Sequence, residues 1–260
     1  MMKVDMKCSK SAFEIEKKRD FLASSQNFKK LRETYNNNFP EITNLNTSSF
    51  WSMKSHKDNR LLLKSPIYLD KIKRVTRLLN GKKGKLLDVG IGCGYVEKRL
   101  RNSELDIFGI DISKTCIKDL KRALKGKFRI GEASNLPFKD SMFDYVLALD
   151  IFEHIPPSQI FKVWGEIHRV LKKDKYLIVS IPLNEGLEEL IKNGENPNAH
   201  VRVYTPSILK AEMKLSGFRP EEEYYLYAFN RNYLIKSFIT KLVPFQLKKP
   251  NLLMILGKKI

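Results

Sequence analysis

The run Lys85-Leu-Leu-Asp-Val-Gly-Ile-Gly-Cys-Gly-Tyr95 sets three glycines, Gly90, Gly92 and Gly94, at alternate positions behind a short apolar stretch. Glycine there lets bare backbone approach a ligand that a side chain would block. One acid, Asp88, precedes the glycines. A second, Asp111, closes the apolar run Leu105-Asp-Ile-Phe-Gly-Ile-Asp111, 17 residues beyond Gly94. That interval fits one helix and one strand, the nucleotide-fold arrangement in which a first turn holds part of a ligand and the second acid accepts ribose hydroxyls. The dinucleotide pattern Gly-x-Gly-x-x-Gly is not met, because Tyr95 and Val96 stand where its last glycine would fall. Asp88 would also repel a pyrophosphate and attract a cation. A ligand with an amino group and a sulfonium suits the loop better. Further along, Asp150-Ile-Phe-Glu-His-Ile155 brings two acids beside His154, whose imidazole titrates near neutrality. His200 lies in Asn198-Ala-His-Val-Arg-Val-Tyr204, whereas His56 and His168 have no such context.

These segments together resemble a known family. Leu86-Leu-Asp-Val-Gly-Ile-Gly-Cys-Gly94 is similar to the first motif of the class I S-adenosylmethionine-dependent methyltransferases, and Gly109-Ile-Asp-Ile-Ser113 to the second. Gly131-Glu-Ala-Ser-Asn-Leu-Pro-Phe138 resembles the adenine-contacting segment, and Phe143 to Ile155 the fourth strand with its loop. Within the class, the chain looks most like the type 11 group, which includes menaquinone- and ubiquinone-pathway enzymes. A Rossmann-like oxidoreductase is the competing nucleotide-fold reading.

The resemblance implies an α/β fold: a Rossmann-like, seven-stranded, mostly parallel sheet with an antiparallel closing strand, plus an N-terminal helical and loop extension. It implies S-adenosylmethionine as cofactor and S-adenosylhomocysteine as product. Asp88, Gly90, Gly92 and Gly94 would run along the amino-acid tail of the cofactor. Asp111, with Ile112, would take the ribose, and Glu132 and Ala133 the adenine, with Leu149 at the end of the fourth strand. His154 and His200 are the candidate catalytic residues of an acceptor pocket. Asp150-x-x-Glu-His also resembles the acidic pair plus His that binds a divalent cation in some quinone-pathway O-methyltransferases. Those carry Glu where this chain has Asp150, and no metal is expected. Glu153 and His154 then read as groups that cap and brace the next helix.

Methyl transfer asks little of side chains. Alignment and proximity alone can supply on the order of 7–11 kcal/mol, and a base matters only when the acceptor must lose a proton. The family is therefore legible while the acceptor is not. A small-molecule or lipid-like acceptor is expected. The alternatives are an RNA or protein methyltransferase that docks through a basic arm, and a non-catalytic cofactor-binding module. Nucleic acid is not favoured. Asp150-Ile-Phe-Glu replaces the Asn/Asp-Pro-Pro-Tyr/Phe of enzymes that methylate base amines, and the Pro-Cys pair of cytosine-C5 enzymes is absent from the sequence.

The surrounding elements follow from hydrophobic period. The 260 residues are 42% hydrophobic, enough for one sizeable core. Residues 11–35 read as a Lys-rich helix and 36–65 as a loop, so 1–65 forms a basic extension and candidate lid before a domain over 66–260. Ser65-Pro66 starts a helix to about Leu79. Strands are expected at 85–89, 105–110, 127–131, 143–149 and 175–181, with helices at 94–102, 113–125 and 157–172 between them. Thr205-Pro206 opens a helix to Ser216. Strands at 223–229 and 252–256 would close the sheet. Ile160, Trp164, Ile167 and Leu171 share one helical face and should meet it.

The net charge of +19 is uneven: residues 1–85 hold 20 Lys/Arg against 8 Asp/Glu. Arg231 to Lys249 holds five positive residues and no acid, and its apolar residues recur at helical spacing. Such a segment either packs on the core or meets an anionic membrane surface. The sequence contains no apolar run of spanning length and no leader-like start. Cys8, Cys93 and Cys116 form no C-x-x-C pair. A cytoplasmic protein, peripherally membrane-associated at most, is expected.

Overall fold

A computed structural model describes residues 46–54, 63–193, 196, 198–229, 232–242 and 249–260. The helix expected over 11–35, most of the loop over 36–65, and His56 lie outside the described residues. A short helix covers 48–54.

α1 (Pro66–Leu78) begins with proline at its first turn, which costs nothing because that N–H has no helical partner. Ser65 precedes it without a side-chain cap bond, so the proline alone marks the start. β1 (Lys83–Val89) follows, and its last four residues are all buried. A continuously buried strand belongs in the middle of a parallel sheet covered on both faces. α2 (Tyr95–Arg99), β2 (Glu104–Asp111), α3 (Lys114–Ala123), β3 (Lys127–Ile130) and β4 (Phe143–Leu149) come next, then a 3₁₀ turn, Phe152–His154. Ser113 caps α3 as expected, its hydroxyl accepting from the Cys116 N–H at 3.2 Å. The chain ends through α4 (Ile160–Val170), β5 (Leu171–Pro182), α5 (Leu187–Lys192), α6 (Pro206–Leu215), β6 (Phe218–Leu226), α7 (Tyr233–Leu242) and β7 (Leu252–Lys259).

The strands form one seven-stranded sheet in the order β3-β2-β1-β4-β5-β7-β6. β1 pairs in parallel with β2 and β4, and β7 runs antiparallel to both β5 and β6. One core face packs α4 and α6 on the sheet around Trp164, which is stacked 4.1 Å from Phe152. The other packs α1, α2 and α3 against Leu86, Leu147 and Met254. Ile160, Trp164, Ile167 and Leu171 are all buried, as their spacing predicts. Strand order reverses at β1, between β2 on one side and β4 on the other. In an open α/β sheet, that switch point is where a crevice opens outside the C-terminal strand ends.

Candidate functional site

The turn after β1 is held by neighbouring backbone. Gly90 and Ile91 N–H groups donate to the Ile110 carbonyl at 2.8 and 3.1 Å, and Gly92 N–H donates to Asp111 Oδ2 at 2.8 Å. The other carboxylate oxygen of Asp111 accepts from Ser113 N–H at 2.7 Å. Gly92 has φ +53°, and a Cβ built there would stand in open space, on the side where a ligand would approach. Gly94 has a different job: a Cβ there would lie 2.4 Å from Leu120.

Two adjoining cavities meet at this turn. The first, of about 400 Å³, is lined by Gly92, Asp111, Ile112, Glu132, Ala133 and Ser134, among others. The second, of about 620 Å³, is lined by Tyr68, Lys71, Asp88, Leu149, Glu153 and His200, among others. Trp51, Gly90, Gly92, Asp150 and His154 line both. The structure thus gathers every expected cofactor residue except Gly94 around one joined crevice. Leu149 and Asp88 sit on its second lobe, and Gly94 shapes the turn from outside the lining.

Asp150 marks the junction. Its backbone takes a left-handed φ of +53°, rare for a residue with a side chain. Its carboxylate accepts from the Lys71 ammonium and from the Ser180 hydroxyl. Enclosure alone would raise its pKa; Lys71 and Ser180 reverse this and hold it below the ordinary carboxylate range. Beside it Glu153 is 1% exposed, and its Oε2 has no hydrogen-bond partner. Burial, and then the neighbouring Asp150, push the Glu153 carboxyl well above the ordinary carboxylate range.

The two histidines lie together, ring centroids 4.7 Å apart. His154 Nδ1–H donates to the Ala199 carbonyl at 3.3 Å, and burial followed by His200 pushes its pKa down to about 3. A neutral imidazole whose Nδ1 carries the proton leaves Nε2 as an acceptor. His200 Nδ1–H donates to Glu185 Oε2 at 2.7 Å, which leaves its Nε2 as the other ring nitrogen. Glu153, His154 and His200 bring one carboxylate oxygen and two imidazole nitrogens within 4.8 Å of one another. Those are donor types of a divalent-cation site, with the outer partners that orient such histidines. The sequence pattern had grouped Asp150 with Glu153 and His154. The Lys71 ion pair occupies Asp150, and His200 takes its place. Glu153 and His154 do not cap the next helix, which starts at Ile160 behind Gln159.

The segment at 46–54 covers the junction. Asn46 Nδ2 donates to the carbonyls of His154 and Ala199, at 3.2 and 3.3 Å. Trp51 Nε1 donates to Asn46 Oδ1 at 3.2 Å, and its ring meets His154 edge-on at 4.7 Å. Asn46, Trp51, Tyr68, Lys71, Glu97 and Glu185 are site residues that sequence reading missed. Lys71 and Glu97 lie on helices where an ordinary surface charge looks the same in sequence.

Residues 87–179 match a family model described as a methyltransferase domain. A demethylmenaquinone methyltransferase of Thermotoga maritima is 34% identical over 111 residues, covering 41% of this chain and 48% of that protein. A ubiquinone biosynthesis O-methyltransferase of Bordetella avium is 23% identical over 172 residues, covering 60% and 70%. The matches span between 28% and 70% of the curated relatives' own lengths. Among solved structures, the 1,6-didemethyltoxoflavin-N1-methyltransferase of Burkholderia thailandensis superposes with a TM-score of 0.59 at 15% identity, covering 82% of this chain and 86% of that one. That likeness establishes the fold.

Proposed function

We propose that this chain, whose residues 87–179 are a class I methyltransferase domain of the type 11 family, transfers a methyl group from S-adenosylmethionine to a small-molecule or lipid-like acceptor. One observation carries the reading: the Gly90–Gly92 turn sits where a lobe lined by Asp111, Glu132 and Ala133 adjoins a lobe lined by Asp88, Glu153 and His200. The fit to the cofactor rests on this chain's own atoms. Asp88 Oδ1 is a buried oxygen without a hydrogen-bond partner beside the turn, and open space faces Gly92. Asp111 lines the first lobe, where its carboxylate would accept ribose hydroxyls, and Glu132 with Ala133 would close the adenine end. When bound, S-adenosylmethionine supplies a methyl on a good leaving group and leaves S-adenosylhomocysteine.

The residues of this chain then bind, orient and exclude water. His200, oriented by Glu185, takes the proton of an acceptor that must lose one, and His154 shares the wall. Trp51 and Asn46 cover the junction. The demethylmenaquinone and ubiquinone names of two relatives support an apolar, quinone-like acceptor. The test is a labelled-methyl assay on cell extract separated into small-molecule, lipid, RNA and protein fractions. Label is expected in the small-molecule or lipid fraction. Label confined to RNA or protein would overturn the acceptor class. Binding without any transfer would leave a cofactor-binding module.

A second reading concerns where such an acceptor is met. Among the described residues, no helix is long and apolar enough to cross a membrane. α7 nonetheless exposes Leu234, Ile235, Phe238, Ile239 and Leu242, each at 50–81%. It lies within a stretch of sequence holding five basic residues and no acid. An anionic membrane surface suits that combination.

A further inference from the structure

Asp88 and Glu97 form a buried pair of acids beside the glycine turn. Asp88 is the next-to-last residue of β1, 4% exposed. Glu97 is the third residue of α2, 0% exposed. Both line the second lobe of the crevice. Asp88 Oδ1 and both oxygens of Glu97 are buried and accept no N–H or hydroxyl from any other described residue; the two carboxyls are hydrogen-bonded to each other, which needs a shared proton. Carboxylates only accept when ionised. Once the shared proton leaves, three buried acceptors stand in one place and call for a donor with several N–H groups. An ammonium has three donors and no acceptor.

The charged groups around the pair do not supply it. The Lys71 ammonium points toward Asp88 but is bound to Asp150. Lys98 is exposed on the outer face of α2. Asp111 faces Asp88 from β2 and adds negative charge. Tyr68 and Tyr95, with rings 6.1 Å apart, line the same lobe and are neutral. Burial and the facing Glu97 push Asp88 well up, and burial pushes Glu97 up to about 7. Two carboxyls so placed hold a proton between them until a cation arrives.

We propose that Glu97 joins Asp88 in receiving the ammonium of the cofactor's amino-acid tail, and that binding expels the proton the two acids share. The inference rests on the cofactor reading above and adds to it a residue and a proton balance. The pair, which shares one proton and carries one negative charge, loses that proton to solvent, and the resulting dianion holds the ammonium. Affinity for a tailed ligand therefore rises with pH from about 6 to about 7.5, below the range in which the ligand's own ammonium loses its proton.

Titration calorimetry near pH 7, in two buffers of different ionisation enthalpy, reads the protons released. Three ligands divide the contributions. S-adenosylmethionine and S-adenosylhomocysteine both carry the ammonium, and only the first carries a sulfonium. 5′-Methylthioadenosine has neither. Wild type should release about half a proton or more with the first two ligands and none with the third. Glu97→Gln should abolish that release and weaken the two tailed ligands about tenfold or more at pH 8. Affinity for methylthioadenosine should not change. The inference is overturned if tailed and tailless ligands release the same number of protons, or if Glu97→Gln keeps wild-type affinity and release. Should Glu97→Gln fail to fold, the wild-type comparison between ligands decides alone. If wild type binds none of the three, the cofactor reading fails and takes this inference with it.

Discussion

The Asp111 carboxylate accepts the backbone N–H groups of Gly92 and Ser113, with Ile112 N–H as a further backbone donor, and lines the first lobe of the crevice. Removing the side chain therefore loosens the glycine turn and deletes the ribose acceptor together. Asp111→Ala should weaken S-adenosylmethionine binding by roughly 1.5–3 kcal/mol, measured by calorimetry on protein with an unchanged circular dichroism spectrum. Wild-type affinity in that variant would sink the ribose assignment. Glu97 gives the opposite sign for stability. Burial raises its folded pKa to about 7, above its unfolded value. The unfolded chain then loses the proton first, and the folded state loses stability as pH rises from the unfolded to the folded value. Without ligand, Glu97→Gln should raise the melting temperature at pH 8, by an equivalent of about 1–3 kcal/mol, and change little near pH 4.5. A variant destabilised at pH 8 would show that the acid is bound to an unseen donor. The placement of Asp88, Gly90, Gly92 and Asp111 at the crevice was legible because it follows from position in a strand-turn-helix unit. Glu97 was not. An acid in the first turn of a helix reads as a partner of the helix dipole, and only the packing of α2 on the sheet turns it inward.

At the scale of elements, α7 most separates pattern from placement. Its apolar spacing fits a helix packed on a core equally well, yet Leu234 is 81% and Phe238 62% exposed. Among the described residues, Tyr233 ties α7 to α1, its hydroxyl donating to Asp70 at 3.0 Å. α1 also carries Lys71 into the crevice, so the apolar face lies on an element tied to the acceptor side. Phe238→Glu with Leu242→Glu should abolish co-sedimentation with anionic vesicles at low salt and leave the melting temperature unchanged. A wild-type protein that ignores such vesicles would end the membrane reading. The parallel strands were readable because buried strands are apolar runs. The closing strands were harder. β6 starts at Phe218, not at 223, because its exposed Arg219-Pro-Glu-Glu-Glu223 has the composition of a loop. Pro220 is tolerated because this strand is at the sheet edge and its register shifts there. β7 runs to Lys259, beyond the expected 256, because Gly257 lies within it: a Cβ there would strike Met213 of α6 at 2.4 Å. α2 is shorter than the 94–102 expected, stopping at Arg99.

Across the whole molecule, the sheet and its two cores are built from residues after 66, while 46–54 contributes cover. Asn46 and Trp51 reach His154 and the 199 carbonyl, and the Ser52 and Ser113 hydroxyls lie 3.1 Å apart, so this short segment bridges both lobes of the crevice. Neither hydrophobic core includes any residue from it. The expected lid over 1–65 thus has support only from its described part, and most of the basic arm lies outside it. Cover of this kind acts on rate more than on folding, because it excludes water and fixes the acceptor against the donor. Deleting residues 1–60 should therefore leave the melting temperature of the core within a few degrees of wild type. Turnover on the acceptor found in the labelled-methyl assay should fall about tenfold or more, since small losses of alignment are costly. Trp51→Ala in the full chain should reproduce much of that loss, and this separates cover from the charge of the arm. A deletion with undiminished turnover would remove the lid. A deletion that slows turnover while Trp51→Ala does not would move the role to the basic residues before 46, with a strong salt dependence expected in the intact protein.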